Sequence, residues 1–559
     1  MSETVGDFLL GRLAGEWGVK RIFGYPGDGI NGIMGAFQRE GPRPEFIQVR
    51  HEEMAAFMAC AHAKFTGEPG VCLSTGGPGA AHMVTGLYDA KMDHMPVLAI
   101  CGQAPRTARG AHYTQELNLD RLFQDVADYV YEAEVPSQVR HLVDRAMRTV
   151  LGRNGVEAAP RSPAMTQPVC PFRFASGIEN SNPTIGHGRI RRDQMEECGH
   201  YRHWRTDFAL AARLGIRTLR YGVPLHRSWL GPDRYDWAFA DLAYGELRRL
   251  GIEPIADLCH FGVPDWIGNF QNPDFPSLFA AYAAAFARRY PWIRLYTPVN
   301  EMYVCARFSA LYGLWNEQLS SEHAYVAAIR HVVKANVLAM HAILELRPDV
   351  LFIQSESSEY FHASTPEAEP AAEARNLRRF LTLDLNYGRP LEARLRTFVL
   401  DNGMSEDDCR FFETHAVRGH CILGSDYYRS NEHHVDADGG MRPADELLGF
   451  AVIAREYVER YKLPLMHTET NRDQGRRGDE SCAWLQRQWA LLRSLMRAQV
   501  QVVGFTWYSL TDQVDWDVEL RELRGVVNPR GLFDLDRNIR PVGQAYGQLI
   551  GTWNGDPAS

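Results

Sequence analysis

Residues 293–304 read IRLYTPVNEMYV, a short apolar run that ends in Asn300 and Glu301. Residues 464–471, PLMHTETN, follow the same plan, with Glu469 shortly after the apolar run. Short apolar runs of this kind predict buried strands. In a barrel of parallel strands, the residues that come after each strand meet at the carboxyl face. Glu301 and Glu469 are therefore predicted to face one cavity from different strands.

Eight runs of this kind occur from residue 172 onward, and helical stretches separate them. The runs are Phe172–Ser176, Thr218–Tyr221, Pro254–Leu258, Leu295–Thr297, Leu351–Gln354, Ile422–Gly424, Leu465–His467 and Val502–Trp507. Eight βα repeats over about 380 residues fit the size of a (β/α)8 TIM barrel with enlarged loops. The predicted barrel spans residues 172–553.

The N-terminal stretch of the chain, residues 1–154, is predicted to be a separate α/β domain. Its strand candidates are Arg21–Tyr25, Phe46–Val49, Val71–Ser74 and Val97–Cys101, and stretches with apolar residues at helical spacing lie between them. This alternation predicts βαβ units and a parallel sheet. Residues 155–171, GVEAAPRSPAMTQPVCP, carry four prolines and no apolar period, which predicts a linker.

The composition argues against several classes of protein. The 559 residues include 60 Lys and Arg against 69 Asp and Glu, and this net charge of −9 argues against a nucleic-acid partner. No run of about 18 apolar residues is present, and the start, MSETVGDFLLGRL, is acidic where a secretory signal is basic, so neither a membrane partner nor export is expected. The ten cysteines form no CxxC pair, which predicts no disulfide framework, no metal site and a cytoplasmic location.

Two glutamates that face each other across a pocket suit the cleavage of a glycosidic bond. One protonates the leaving oxygen, while the other attacks the anomeric carbon or activates water. Asn300 could donate to the 2-hydroxyl of the sugar, a contact that strengthens in the transition state. Aromatic and polar residues come after other strands and suit a saccharide pocket, namely His260, Tyr427, Tyr428, Trp507, Asp515 and Trp516.

Five segments resemble motifs of family 1 glycoside hydrolases, the β-glucosidase-like enzymes. They are GIEPIADLCHFGVPDWI (251–267), IRLYTPVNEMYV, SDYYRS (425–430), PLMHTETN and GFTWYSLTDQVDW (504–516). The resemblance implies that Glu301 is the acid/base, that Glu469 is the nucleophile and that Tyr428 is its hydrogen-bonding partner. It also implies that Asn300, His260, Trp507, Asp515 and Trp516 are sugar contacts. GIENSNPT (177–184) matches loosely and adds Glu179, Asn180 and Asn182 as candidates.

The sequence departs from that family at three positions of the predicted pocket. Phe261 stands where the family has Trp, Asp426 where it has Asn, and Asp515 where it has Glu. Aspartate reaches one methylene less far than glutamate, which changes the hydroxyls that it can bind. The glycone, the aglycone and the balance between hydrolysis and transglycosylation are therefore left open.

The resemblance implies a retaining mechanism on a small-molecule glycoside, with no cofactor required. The two carboxyl groups of a retaining enzyme lie about 5–5.5 Å apart, against about 6.5–9.5 Å in an inverting one. Negative charge on Glu469 is expected to raise the pKa of Glu301, so that Glu301 is protonated while Glu469 stays ionised.

The N-terminal domain contains a GxGxxG match at residues 27–32, which alone suggests a dinucleotide site. Its surroundings, RIFGYPGDGINGI (21–33), RHEEMAAFMA (50–59) and GVCLSTGGPGAAHMVTGLYDAKMDHMPVLAICGQ (70–103), resemble instead the pyrimidine-binding domain of thiamine diphosphate enzymes such as pyruvate oxidase and acetolactate synthase. In that family the position of Glu52 activates the aminopyrimidine of the cofactor. The family's diphosphate segment, a GDG followed some 25–30 residues later by Asn-Asn, does not occur downstream.

Three hypotheses arise for the whole chain. The first is a retaining β-glycosidase whose N-terminal domain mediates formation of a homo-oligomer and binds thiamine diphosphate weakly or not at all. The second is a thiamine diphosphate-dependent subunit, similar to acetolactate synthase or pyruvate oxidase, that a partner chain completes with a diphosphate domain. The third is a non-hydrolytic carbohydrate-binding or biosynthetic barrel.

Overall fold

The structure is a computed structural model that describes residues 4–39, 43–104, 113–133, 138–152, 171–475, 479–498 and 500–553. The chain divides into two compact units, Met1–Ala164 and Met165–Ser559. The division falls inside the range predicted as a linker. Apart from Pro171, that linker lies outside the described residues.

The first unit is built on a four-stranded parallel sheet with the order β2-β1-β3-β4. Its strands are β1 Arg21–Gly24, β2 Glu45–Gln48, β3 Gly70–Ser74 and β4 Val97–Cys101. Its helices are α1 Val5–Gly15, α2 Asn31–Phe37, α3 Glu52–Thr66, α4 Pro78–His82, α5 Val84–Met92, α6 Leu119–Phe123 and α7 Val139–Gly152. The predicted parallel α/β fold is confirmed, since all four strand candidates pair in parallel.

Strand β3, one of the two central strands, is buried along its whole length, because helices cover both faces of the sheet. Val71 and Leu73 pack with Leu10 and Leu13 of α1 on one side, while Cys72 packs with residues of α3 on the other. Helix α3 begins next to the end of this sheet and ends at Gly67, whose left-handed backbone (φ 69°) favours glycine.

The second unit is a closed barrel of eight parallel strands in sequential order. The strands are β5 Arg173–Gly177, β6 Thr218–Tyr221, β7 Glu253–Cys259, β8 Leu295–Val299, β9 Leu351–Gln354, β10 Cys421–Asp426, β11 Leu465–Glu469 and β12 Val502–Trp507. Strand β12 pairs with β5, which closes the ring. The predicted TIM barrel is confirmed, and each of the eight predicted runs is one of its strands.

Helices and short sheets surround the barrel. The helices are α8 Gln194–Glu197, α9 His200–Arg213, α10 Leu225–Ser228, α11 Ala238–Leu250, α12 Phe275–Arg289, α13 Met302–Ala306, α14 Glu322–Leu344, α15 Glu369–Arg378, α16 Leu381–Asn386, α17 Ala393–Asp401, α18 Glu406–His415, α19 Phe450–Tyr461, α20 Glu480–Arg497 and α21 Pro541–Thr552. A π-helical turn, Arg307–Leu311, comes directly after α13. A small sheet is formed by Tyr360–Ala363, Glu432–Val435 and Met441–Pro443.

Helix α14 has the length and apolar composition of a membrane span, alone among the helices in the described ranges. Two thirds of its most apolar window, 67%, is buried inside the protein, where it packs against α12. This burial is typical of a core helix.

The barrel interior is apolar below the site. Seven strands contribute one residue each to a separate buried cluster, made of Ala175, Ile255, Leu295, Ile353, Ile422, Met466 and Val503. Most of these residues lie in the first half of their strand, so the polar side chains are left at the carboxyl ends. The candidate site is therefore predicted to open at the carboxyl face, as in other barrels of this type.

Candidate active site

A cavity of about 880 Å³ opens at the carboxyl ends of the barrel strands. Six of the candidate catalytic and sugar-binding residues line it: Glu179, His260, Glu301, Tyr428, Glu469 and Trp516. Other lining residues include Phe261, Arg307, Glu359, Asn471, Tyr508 and Gln513. Glu301 and Glu469 therefore face the same cavity, as predicted, although they lie at the ends of two strands, β8 and β11, that are far apart in the sequence.

Glu469 ends β11, and cationic and hydroxyl donors hold its carboxylate. The guanidinium of Arg220 donates from Nη2 to Oε1, and the hydroxyl of Tyr428 donates to Oε2 at 2.5 Å. Both contacts stabilise the ionised carboxylate, and charge-assisted hydrogen bonds of this kind are stronger than neutral ones. The arrangement suits a nucleophile that must attack as an anion.

Glu301 is the second residue after β8, and its surroundings differ from those of Glu469. Its backbone is left-handed (φ 37°), and its N–H donates to the Ser355 carbonyl at 3.0 Å. Within the described part of the chain, no hydrogen bond is made to its carboxyl group. Burial raises the pKa of Glu301 well above its ordinary value, and the negative charge of Glu469 adds to this shift, while Arg220 opposes it. A protonated Glu301 suits a general acid.

Arg220 is a site residue that sequence reasoning missed. It lies within β6 and is almost fully buried. Besides Glu469 it contacts Ser355, donating from Nη1 to Oγ at 2.5 Å, and its Nε lies 3.5 Å from Oδ2 of Asp257. The sequence did contain a signal for Arg220, which is the single charged residue in a run predicted to be a buried strand. Buried charged residues are rare unless they are paired, so this position indicates a buried partner.

Asp426, one of the departures from family 1, lies beside Glu469 in the register of β10 and β11. The hydroxyl of Ser355 lies 2.9 and 2.7 Å from its two carboxylate oxygens and donates to them. Burial, with a further contribution from the charge of Glu469, raises the pKa of Asp426 to about 8. Burial also raises the pKa of Glu356 to about 8, although the Tyr303 N–H donates to that carboxylate. The floor of the site therefore holds more carboxyl groups than cations to compensate them.

His260 and Asn300 form a chain that leads away from the cavity. The Nδ1 of His260 lies 2.7 Å from Oδ2 of Asp257, so Nδ1–H donates and leaves Nε2 as an acceptor. The Asn300 amide nitrogen lies 3.1 Å from that Nε2 and donates to it. Asn300 is fully buried next to Glu301, and its Oδ1 has no hydrogen-bond partner in the described ranges.

Three predicted sugar contacts require correction, because Asn300, Trp507 and Asp515 do not line the cavity. Trp507 is fully buried in the core, and its indole N–H donates to the Arg530 carbonyl at 2.9 Å, so it does not line the cavity. Asp515 is fully buried as well, and its carboxylate accepts hydrogen bonds from the N–H groups of Arg524, Gly525 and Val526 and from Arg192. Asp515 organises the loop after β12 and leaves no oxygen directed at a sugar.

Glu179 lines the cavity, whereas Asp515 does not. Glu179 accepts hydrogen bonds from Gln513 Nε2 at 2.7 Å and from the hydroxyl of Ser181 at 2.6 Å. Asn180 accepts a hydrogen bond from the Tyr508 hydroxyl at 3.3 Å, and Asn182 donates to the Asn180 carbonyl at 2.9 Å. Only Glu179 of this weaker set lines the cavity.

Trp516 and Phe261 form an aromatic wall of the cavity. Their ring centroids lie 6.3 Å apart, and the ring of Trp315 packs against both. Aromatic faces can pack against the apolar faces of a sugar ring. Phe261 therefore provides an apolar surface where family 1 has an indole, without the indole N–H.

In the first unit, Glu52 begins α3, and its Oε2 lies 3.0 Å from Nδ1 of His82. Burial acts to raise the pKa of Glu52, but the hydrogen bond and charge of His82 outweigh it and lower the pKa. Two of the GxGxxG glycines are required by close packing, since a Cβ on Gly27 or Gly29 would meet the Thr75 side chain at 2.7 or 2.9 Å. The unit thus offers a carboxylate suited to the aminopyrimidine of thiamine diphosphate. Its described residues show no carboxylate and amide set that would hold the magnesium and the diphosphate.

Two family models match separate parts of the chain. The model described as "Thiamine pyrophosphate enzyme, N-terminal TPP binding domain" matches residues 3–122, and the model described as "Glycosyl hydrolase family 1" matches residues 185–387. The second match contains Glu301 and ends before Glu469. Both resemblances seen in the sequence are confirmed.

Curated relatives resemble the chain over short segments. Pyruvate oxidase of Lactiplantibacillus plantarum is 45% identical over 140 residues, which cover 25% of this chain and 23% of the relative. Acetolactate synthase of Bacillus subtilis is 41% identical over 147 residues, which cover 26% of this chain and 25% of the relative. The chain spans about a quarter of the length of each of these relatives.

The barrel is similar to solved β-glucosidases. The structure of β-glucosidase from Thermotoga maritima in complex with azafagomine superposes with a TM-score of 0.58 at 17% identity and covers 69% of this chain and 99% of the other. A further structure, the family 1 β-glucosidase from Thermotoga maritima, gives a TM-score of 0.58 at 16% identity and covers 68% of this chain and 97% of the other. At this level of identity the likeness establishes the fold of the barrel.

Proposed function

We propose that the barrel is a retaining β-glycosidase in which Glu469 is the nucleophile and Glu301 is the acid/base. The observation that carries the proposal is the contrast between two glutamates that line one cavity. Arg220 and Tyr428 stabilise the charge of Glu469, whereas burial and neighbouring negative charge favour the protonated form of Glu301. Pairs of carboxyl groups with opposed environments are how glycosidases assign the two roles.

In the first step Glu301 donates its proton to the glycosidic oxygen as Glu469 attacks the anomeric carbon. A covalent glycosyl–enzyme intermediate forms and the aglycone leaves. Glu301, now ionised, accepts a proton from water, which attacks the anomeric carbon and releases Glu469. Tyr428 and Arg220 orient the nucleophile in the free enzyme, and Arg220 keeps a positive charge beside it throughout.

The match to the family 1 model and the likeness to β-glucosidases support a glycosidase. The glycone is not assigned to glucose, because the residues around the cavity differ from the family pattern. Glu179 and Gln513 face the cavity as a hydrogen-bonded pair, and Asp515 is withdrawn from it. Hydroxyl selection is therefore proposed to depend on Glu179 and Gln513.

A panel of nitrophenyl β-glycosides tests this proposal. Glu469→Ala should abolish nitrophenol release, and azide should restore it by replacing the missing nucleophile. Glu480→Ala is the matched control, because Glu480 lines the same cavity but is paired with Arg472 at the rim, so activity should be kept. Proton NMR of the first product should show retained anomeric configuration. Inverted product would overturn the retaining mechanism, and full activity in Glu469→Ala would overturn the assignment of Glu469 as the nucleophile.

A second candidate function concerns the first unit. Its match to the thiamine pyrophosphate domain and the buried Glu52 carboxylate support binding of the cofactor's pyrimidine end. Loss of the phosphate and metal contacts would forfeit most of the affinity, so we propose a self-association module that yields a homo-oligomer. Calorimetric titration with thiamine diphosphate and Mg²⁺ should give no saturable heat, and sedimentation should show an oligomer. Saturable binding would favour a thiamine diphosphate-dependent subunit completed by a partner chain.

We also propose that the protein is cytoplasmic. All nine cysteines in the described ranges are free thiols, and most of them are buried. Free thiols are typical of proteins that work in a reducing compartment. A localisation experiment with a C-terminal fluorescent fusion would test this directly.

A further inference from the structure

Three side chains of the first unit converge at the start of α3. His51 is the N-cap residue of that helix, Glu52 is its first residue, and His82 is the last residue of α4. One ligand atom from each lies within 4.8 Å of the others, which is the only such group of three among the described residues. His51 and His82 are well separated in the sequence, so no metal-binding spacing motif predicts the cluster.

The chemistry of this group is that of a transition-metal site. Two imidazoles and one carboxylate form the ligand set of zinc hydrolases and of non-haem iron sites, in which further positions are left to water. Magnesium prefers oxygen ligands and would not select two imidazoles. The cluster therefore favours a cation different from the magnesium that accompanies thiamine diphosphate.

The local structure prepares the ligands and leaves them accessible. The carboxylate of Glu52 lies against the first turn of α4, where a Cβ on Gly79 would lie 3.2 Å from Oε1. Both histidine side chains are about half exposed, at 49% for His51 and 45% for His82. Their rings stack with centroids 4.4 Å apart, so both are already next to Glu52.

We propose that His51, Glu52 and His82 bind one divalent transition-metal ion of the zinc class. The ion would replace the proton shared between His82 and Glu52, and small rotations of the exposed rings would bring the nitrogens to the usual distance of about 2.0–2.1 Å. Binding would fasten the start of α3 to the end of α4. This site is independent of the glycosidase proposed for the barrel.

Calorimetric titration of the full-length, chelator-treated protein with ZnCl₂ tests the proposal. One ion should bind per chain, and Glu52→Gln and His82→Ala should each weaken binding at least tenfold. His203→Ala is the matched control, because His203 is an exposed histidine on α9 of the other unit, and its removal should leave the titration unchanged. MgCl₂ at the same concentrations should give no saturable heat.

Cobalt provides a second readout that does not depend on affinity alone. Co²⁺ should give visible absorption bands in the wild-type protein that are lost in His82→Ala, and circular dichroism would show that the variant is folded. The same Zn²⁺ stoichiometry and affinity in wild type, Glu52→Gln and His82→Ala would overturn the site. So would an unchanged Co²⁺ spectrum in His82→Ala, or no stoichiometric binding in the wild type.

Discussion

The hydroxyl of Tyr428 donates a hydrogen bond of 2.5 Å to Oε2 of Glu469. Arg220 occupies the other carboxylate oxygen, so the two donors together fix the plane of the carboxylate. The fixed plane matters because a nucleophile must be aimed at the anomeric carbon before reaction. This pair was expected from the resemblance alone, and the geometry now gives it a physical role.

Tyr428→Phe should therefore lower kcat on nitrophenyl β-glycosides by about 10²–10³-fold, the loss seen when one preorganised donor is removed from an active site. KM should change less, because the donor contacts the nucleophile. Tyr427→Phe is the control, since its hydroxyl donates to Glu432 at 2.8 Å. Equal losses in both variants would contradict a specific role for Tyr428.

The pH dependence of kcat/KM should depend on the pKa values of the carboxyl groups that lie close together in the site. Activity requires protonated Glu301, so it should be lost as pH rises through the raised pKa of that group. Asp426 adds to that shift once it is ionised, which occurs above its own raised pKa of about 8. Asp426→Asn removes its charge and should move the alkaline limb to lower pH, while Asp445→Asn at the exposed rim should leave the limb in place. A limb that stays or moves upward in Asp426→Asn would contradict the coupling.

Asp515→Ala separates a structural role from sugar binding. Because its carboxylate accepts three backbone N–H groups of the loop that continues from Trp516, the variant should raise KM for every glycone by a similar factor. Gln513→Ala should instead change the ranking of glycones, since Gln513 faces the cavity with Glu179. The measurement is kcat/KM over gluco-, galacto-, manno- and fuco-configured substrates. A glycone-selective loss in Asp515→Ala would indicate that Asp515 contacts the sugar directly.

The fold was predictable because it depends on local patterns. Each of the eight apolar runs became a barrel strand, and Glu301 and Glu469 could be paired because parallel strands place the residues at their carboxyl ends on one face. These inferences need only the order of apolar runs along the chain.

The remaining site residues depend on contacts that no local pattern encodes. Asp515 turns into its own loop through a left-handed backbone (φ 56°) and meets Arg192 from far earlier in the chain. Arg220 acquires its role only when β6, β9 and β11 bring Ser355 and Glu469 to it. A residue's type and spacing could not reveal which carboxylate it would meet.

The ion pair between Arg307 and Glu359 at the cavity wall should stabilise the barrel in a pH-dependent way. Both side chains are about 95% buried, and Arg307 donates to both oxygens of Glu359. Burial alone would raise the pKa of Glu359, but Arg307 and His433 lower it to about 2 from an ordinary 4.5. Because the folded-state pKa is depressed, this contribution is complete above the ordinary value and is lost as pH falls towards 2.

Glu359→Gln leaves a buried, unpaired guanidinium and should cost about 3–5 kcal/mol of unfolding free energy at pH 7. Glu246→Gln, which breaks an exposed pair with Arg249, should cost about 0–1 kcal/mol. Urea unfolding followed by tryptophan fluorescence measures both costs, since of 12 tryptophans only Trp17 precedes the barrel unit. The difference between wild type and Glu359→Gln should shrink from pH 5 to pH 3, and a difference that grows with acid would show that the pair does not stabilise the fold.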